Sequence, residues 1–234
     1  GWPILFGAIL LAGGYAIYVA TGAFPTRPPP SPPQPPGAFP LTHLWFLYVL
    51  LWFYAASLAL RGLVHRLDRT GTFRATVDRV VGALTRNRFG VLALAAPTAL
   101  ALGLLPGWMA WFGVPTPDSN LIPNPPAVVQ FFLAFGFGWL IHRQIGLLDA
   151  WRRHAFLNLA VAVALTAALL ATLGLSPVVT PQPPGAAKWA LAAAYSLASW
   201  TWTFAAVGLA LRFLADPSPV RRYIADSSYW IYLV

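Results

Sequence analysis

Cysteine and glutamate are both absent from this 234-residue chain, and charge of either sign is scarce. Without cysteine there is no disulfide framework and no thiolate metal site. The six acidic residues are all aspartate, and no two sit together inside an apolar run. The buried carboxylate pair that a proton pump or a di-metal centre would need is therefore missing. Walker loops, HExxH zinc motifs and nucleophile elbows are also lacking. Charged residues make up only 9% of the chain, against roughly 25% in soluble domains. What is present is apolar: 58% of the residues are hydrophobic, which places the chain among integral membrane proteins.

A membrane-spanning helix needs about 20 predominantly apolar residues between polar or proline-rich breaks. Six such runs are legible: Trp2 to Ala20, Leu44 to Leu60, Val91 to Phe112, Val128 to Ile141, Phe156 to Leu175 and Trp189 to Phe213. The fourth is short unless it starts within "LIPNPPAVVQFF", where proline is acceptable in the first helical turn. A seventh run opens at "SSYWIYLV", where the sequence stops. Since the chain also starts at Gly1, it is expected to be an internal piece of a longer protein, truncated at both ends. The expected fold is all-α: one multi-pass membrane domain over residues 1–234, with six full spans and the start of a seventh.

Thirteen of the 15 basic residues fall in three alternate connections. Arg61, Arg66, Arg69, Arg74, Arg79, Arg86 and Arg88 lie in the first, Arg143, Arg152 and Arg153 in the second, and Arg212, Arg221 and Arg222 in the third. By the positive-inside rule these connections face the cytoplasm. The net charge of +9 is then a topology signal, and no nucleic-acid partner is inferred from it. The opposite connections, such as "FPTRPPPSPPQPPGAFP" and "SPVVTPQPPG", are proline-rich and nearly uncharged, which favours extended, semi-rigid segments.

Within the first basic connection, Phe73, Val77, Val80, Val81 and Leu84 recur at helical spacing, with Arg74, Asp78 and Arg79 on the other side. This pattern predicts a short amphipathic helix in the inner interface. Ser196, Ser199 and Thr203 share one helix face, which suits either a polar path or close helix packing, and Gly136 and Gly138 of "FGFGW" suggest close packing as well.

His43 opens the most aromatic run, "HLWFLYVLLWFY", at the outer mouth of the second span. Histidine exchanges protons near neutral pH and is therefore a catalytic candidate. The plainer alternative is an interfacial ring hydrogen-bonded to a loop carbonyl, among the usual Trp and Tyr of the membrane belt. Arg143, Arg152 and Arg153 have a similar double reading, as topology charges or as ligands for phosphate. His65, His142 and His154 read as solvated loop-end residues.

The blocks "HLWFLYVLLWFY", "FFLAFGFGWLIHRQ" and "SSYWIYLV", in that order, resemble the acyltransferase 3 family, and within it the glucans biosynthesis protein C branch. The resemblance implies transfer of an acyl group, typically succinyl or acetyl, from cytoplasmic acyl-CoA to a carbohydrate such as a periplasmic glucan. It implies a location in the bacterial inner membrane, lipid and carbohydrate as partners, and no bound cofactor or metal. It makes His43 a catalytic candidate and Trp45, Arg143, Arg152 and Arg153 substrate-binding candidates. The family's arginine–histidine pair and Arg-x-x-Arg motif belong to an early part with no counterpart here. Arg143 with His154, and Arg66 with Arg69, repeat those spacings only in later cytoplasmic connections and are read as coincidences. A transporter or flippase of a lipid-linked sugar is the rival reading, although the broken helices and inverted repeats of such proteins are not evident.

Overall fold

The computed structural model describes residues 44–116 and 121–233. They are helical, with no β-strand among the described residues. In chain order the helices are α1 (Trp45–Leu67), α2 (Thr72–Arg86), α3 (Gly90–Leu104), α4 (Pro125–His142), α5 (Leu148–Leu173), α6 (Ala186–Phe213) and α7 (Pro219–Leu233). Helices α1 to α6 belong to one compact unit, residues 37–215. Helix α7 belongs to a second unit and begins at Pro219, well before the "SSYWIYLV" block.

Three helical stretches are long and apolar enough to cross a membrane: Trp45–Leu67, Pro125–His142 and Ile145–Leu173. A fourth is added if α2 and α3, bent by 101° at a short break, are taken as one broken span. Six full spans are not what the described residues show, for three reasons. The predicted run from Trp2 to Ala20 lies outside them. Helix α3 has 15 residues, about 22 Å at 1.5 Å per residue, and stops at Leu104 before Pro106 and Gly107. The chain then turns back through a 3-10 turn at Ala110–Phe112, so the predicted third span is cut short. Helix α6 is long enough, at 28 residues, but its tryptophans, serines and threonines keep it out of the most apolar set. It carries the most buried residues of any described helix and packs chiefly on α5 and α3, so its apolarity is not demanded by lipid.

Local sequence explains the best-defined start. Asn124 is extended (φ −65°, ψ 148°), and its Oδ1 accepts the Ala127 N–H at 2.9 Å while its Nδ2 donates to the Pro115 carbonyl at 3.0 Å. Pro125 and Pro126 then occupy the first helical turn, where the missing N–H groups cost nothing. The α4 start is thus fixed by residues within "IPNPP".

The arginine-bearing ends of α4, α5 and α6 gather at one end of this unit; at the other, described parts of two proline-rich connections fold back, with the Gln182 N–H donating to the Trp108 carbonyl at 2.8 Å and Asn124 Nδ2 to the Pro115 carbonyl. At the arginine-rich end a core of Val81, Leu94, Phe137, Ile141, Trp151, Trp200 and Phe204 joins α2 to α6, with the Trp151 and Phe204 rings stacked at 4.3 Å. At the proline-rich end Trp108, 1% exposed, plugs a second core with Leu102, Leu191 and Ala192. Its indole N–H donates to the Gly113 carbonyl at 2.7 Å.

The amphipathic helix is present as α2, with one correction to its faces. Val81, Gly82 and Thr85 are buried on its inner side, with Val77 and Leu84 partly so, whereas Phe73 and Val80 are exposed. Arg74 and Asp78, expected to be solvated, lie on the packed side because partners from other segments meet them there.

The close-packing glycines also differ from expectation. A Cβ on Gly136 or Gly138 would meet no described atom within 4 Å, so neither mediates a close approach among the described residues. The tight contacts lie elsewhere. A Cβ on Gly208 of α6 would collide with the Trp151 carbonyl of α5.

Candidate functional site

Arg152 and Arg153 are the fifth and sixth residues of α5, and Arg212 stands in the last turn of α6. Because α5 and α6 run antiparallel in close contact, the three side chains line one cavity of about 250 Å³. Arg152 pairs with Asp149 at 3.3 Å, one turn back on the same helix, and both are more than half exposed. The Arg212 guanidinium lies over the Phe156 ring at 5.1 Å and near Phe213 at 5.9 Å. Arg153 has no hydrogen-bond or ion-pair partner among the described residues. Arginine stays charged under all ordinary conditions, so this wall carries three permanent cations and a single carboxylate.

Sequence reasoning grouped Arg152 and Arg153 but assigned Arg212 only to topology. Nothing in spacing links position 212 to position 153; only the antiparallel packing of two helices does so. The available signal was weaker: both are arginines at the inner ends of adjacent predicted spans.

Arg143 has a different place. It caps the C-terminus of α4, and its guanidinium donates to Asp78 of α2 at 3.0 Å. Gln144 reinforces the tie by donating to the Asp78 backbone carbonyl at 3.2 Å. Asp78 Oδ1 is buried without a partner among the described residues, so within them the carboxylate side chain depends on this one guanidinium. Arg143 does not line the cavity of Arg152 and Arg153.

Asp68, just after α1, caps the start of α2. Its carboxylate accepts the N–H groups of Phe73 (3.1 Å) and Arg74 (3.0 Å) and the Arg74 guanidinium (3.1 Å). Burial is the largest single influence on this carboxyl and by itself raises its pKa. The backbone N–H groups of Arg74 and Phe73, then the Arg74 side chain, together outweigh it and hold the pKa below the usual value.

Among the other candidates, His43 lies outside the described residues. Trp45 begins α1 and packs its indole on Phe131 of α4 at 5.6 Å, the first contact of an aromatic seam. Phe53 with Phe132 (5.4 Å) and Tyr54 with Phe135 (5.1 Å) continue the same seam between α1 and α4. His65, His142 and His154 are exposed, and His154 Nδ1 lies 2.8 Å from the Ala150 carbonyl of its own helix. The hydroxyls of Ser196, Ser199 and Thr203 each donate to the carbonyl four residues back, at 2.7 to 2.9 Å. Those hydroxyls are thus satisfied within α6, which fits helix packing better than a polar path.

Comparison with known proteins supplies the reaction class. No curated protein and no solved structure gives a match. A family model described as an acyltransferase domain, the acyltransferase 3 family, matches residues 2–234. With essentially its whole length matched, the chain belongs to the acyltransferase 3 family and is a membrane-associated acyltransferase.

Proposed function

We propose that the protein transfers a succinyl or acetyl group from cytoplasmic acyl-CoA to a hydroxyl of a carbohydrate, with a periplasmic glucan as acceptor, in the bacterial inner membrane. Family membership over residues 2–234 is the observation that carries acyl transfer. The glucan branch rests on the order of the "HLWFLYVLLWFY", "FFLAFGFGWLIHRQ" and "SSYWIYLV" blocks. In the reaction, the acceptor oxygen forms a bond to the thioester carbonyl carbon and the carbon–sulfur bond breaks. The hydroxyl proton passes to a base, and the CoA thiolate leaves and takes up a proton.

Two groups of residues serve opposite ends of that transfer. Arg152 and Arg153, at the arginine-rich end, supply the charge-assisted donors that CoA phosphates require. Arg143 contributes to the same face while tied to Asp78. His43, two positions before Trp45 in the sequence, orients the acceptor hydroxyl or donates to the developing oxyanion, and Trp45 offers its partly exposed indole to the acceptor.

The test compares glucans from a strain lacking the protein with those from its parent by mass spectrometry. Acyl substituents disappear in the deletion strain and return with the intact gene. Unchanged acylation, with no second acyltransferase of the family present, would reject the glucan as acceptor. His43→Gln in the complementing gene then separates roles. Gln keeps hydrogen bonding but not proton exchange, and the proposal expects acyl transfer to fall about 10²-fold or more at near-normal membrane abundance. Full activity would leave His43 as an interfacial anchor.

A further inference from the structure

The cavity between the start of α5 and the end of α6 holds more positive charge than its surroundings balance. Arg152, Arg153 and Arg212 all line it, and among the described residues Asp149 is the single acidic side chain paired with any of them. A lysine or histidine in such company can relieve the repulsion by losing its proton, but a guanidinium cannot. Arg152 and Arg153 lie just past the first turn of α5, beyond most of the helix-dipole effect, whereas Arg212 in the last turn of α6 is favoured by that helix's dipole. The mutual repulsion of the three guanidinium groups is left to an anion or to bulk water to screen.

Geometry narrows the kind of anion. A volume of about 250 Å³ is room for about eight waters at about 30 Å³ each, enough for a phosphate group and bridging waters. Guanidinium forks match tetrahedral phosphate oxygens and hold them bidentately. The Arg212 guanidinium is stationed over Phe156, which limits where its charge can go, whereas Arg153 is uncommitted among the described residues. Phe156 and Phe213 are exposed next to Arg212, so an apolar rim adjoins the charged wall, as at the boundary between lipid tails and headgroups.

We infer that Arg152, Arg153 and Arg212 form one phosphate-binding site at the inner interface, with Arg212 a full member. The shared chemistry is a phosphate ester, which arrives either on an anionic phospholipid headgroup or on soluble CoA. Only the second source rests on the proposed acyl-CoA reading.

The experiment uses the whole protein in phosphatidylcholine nanodiscs, with and without phosphatidylglycerol. One arm reads the rise in thermal midpoint that phosphatidylglycerol produces, since a ligand of the folded state stabilises it. The other arm reads CoA binding by calorimetry in the phosphatidylcholine discs. Arg153→Gln and Arg212→Gln are each expected to weaken one of these probes about tenfold or more, the loss of a charge-assisted hydrogen bond. Arg79→Gln removes the same charge from the exposed side of α2 and controls for general electrostatics. A loss confined to the phosphatidylglycerol arm assigns the site to lipid, and a loss in the CoA arm assigns it to the soluble donor. If both variants match Arg79→Gln in both arms, the site is overturned, whatever acyl transfer does. Should Arg212→Gln fail to fold, Arg153→Gln decides, because its side chain supports no other described group.

Discussion

Gly208→Ala is the sharpest test of the packing that creates the arginine cavity. The added methyl would stand 2.9 Å from the Trp151 carbonyl carbon and 3.0 Å from Ala155 Cβ, and closer still to the Trp151 oxygen. Two of these three neighbours are backbone, so no rotamer change relieves the clash and α5 must move away from α6. Overpacking of this kind costs about 1–3 kcal/mol. Moving α5 also loosens the Trp151–Phe204 stack, which is worth about 0.5–1.5 kcal/mol beyond its burial. Alanine's better helix propensity returns about 1 kcal/mol, leaving a net destabilisation of about 0.5–3.5 kcal/mol. Gly136→Ala is the matched control, since its methyl meets no described neighbour and should be neutral or slightly stabilising. Thermal unfolding followed by size exclusion in detergent would rank the parent, Gly208→Ala and Gly136→Ala. Equal midpoints for the two variants would refute the close α5–α6 approach. Because Gly208 lies about one helical turn before Arg212 and faces the turn that carries Arg152, the same shift should also weaken phosphate binding.

Three further outcomes follow from named contacts. Lys188 is 6% exposed and donates from Nζ to the Leu105 carbonyl at 2.7 Å, neutralising the C-terminal end of α3; Lys188→Met should cost about 1–3 kcal/mol, read by thermal unfolding. Asn124→Ala removes the α4 cap and should cost about 1 kcal/mol, whereas Asn124→Asp, which keeps the acceptor, should recover much of it. The lowered pKa of Asp68 makes its contribution to stability full above the ordinary carboxylate value of about 3.9 and progressively lost as pH falls through the folded value. Asp68→Asn should therefore lower the midpoint at neutral pH and flatten its decline in acid, and an unchanged acid slope would refute the assignment.

The parts of the fold that depend on neighbouring residues in the chain were legible. The α4 start could be placed within "LIPNPP" because a cap and two prolines act inside one turn. Helix α2 was legible from its apolar spacing, but its inner face was not, since Asp68 and Arg143 draw Arg74 and Asp78 inward from other segments. The third span was overextended because apolar content was counted through Pro106 and Gly107, where the chain turns and sends Trp108 into the core rather than onward. The glycines of "FGFGW" meet no close neighbour among the described residues, for a related reason. A glycine announces that a close approach is allowed, but which helix comes near, if any, is decided by packing that the local sequence does not contain.

The arginines show the same division in the site itself. A positive charge at a span end is cheap in water and attracted to the inner surface, so topology alone accounts for its presence at that depth. Topology does not require three such charges to share one cavity. Independent topology charges gain by spreading apart, and these three face solvent yet lie along one wall. Here Arg212 is drawn over Phe156 into the neighbourhood of Arg152 and Arg153, and the glycine contact at 208 holds the two helix ends together. The positive-inside rule thus accounts for the end of the bundle at which these side chains lie, while their convergence on one cavity is what the proposed phosphate site adds to it.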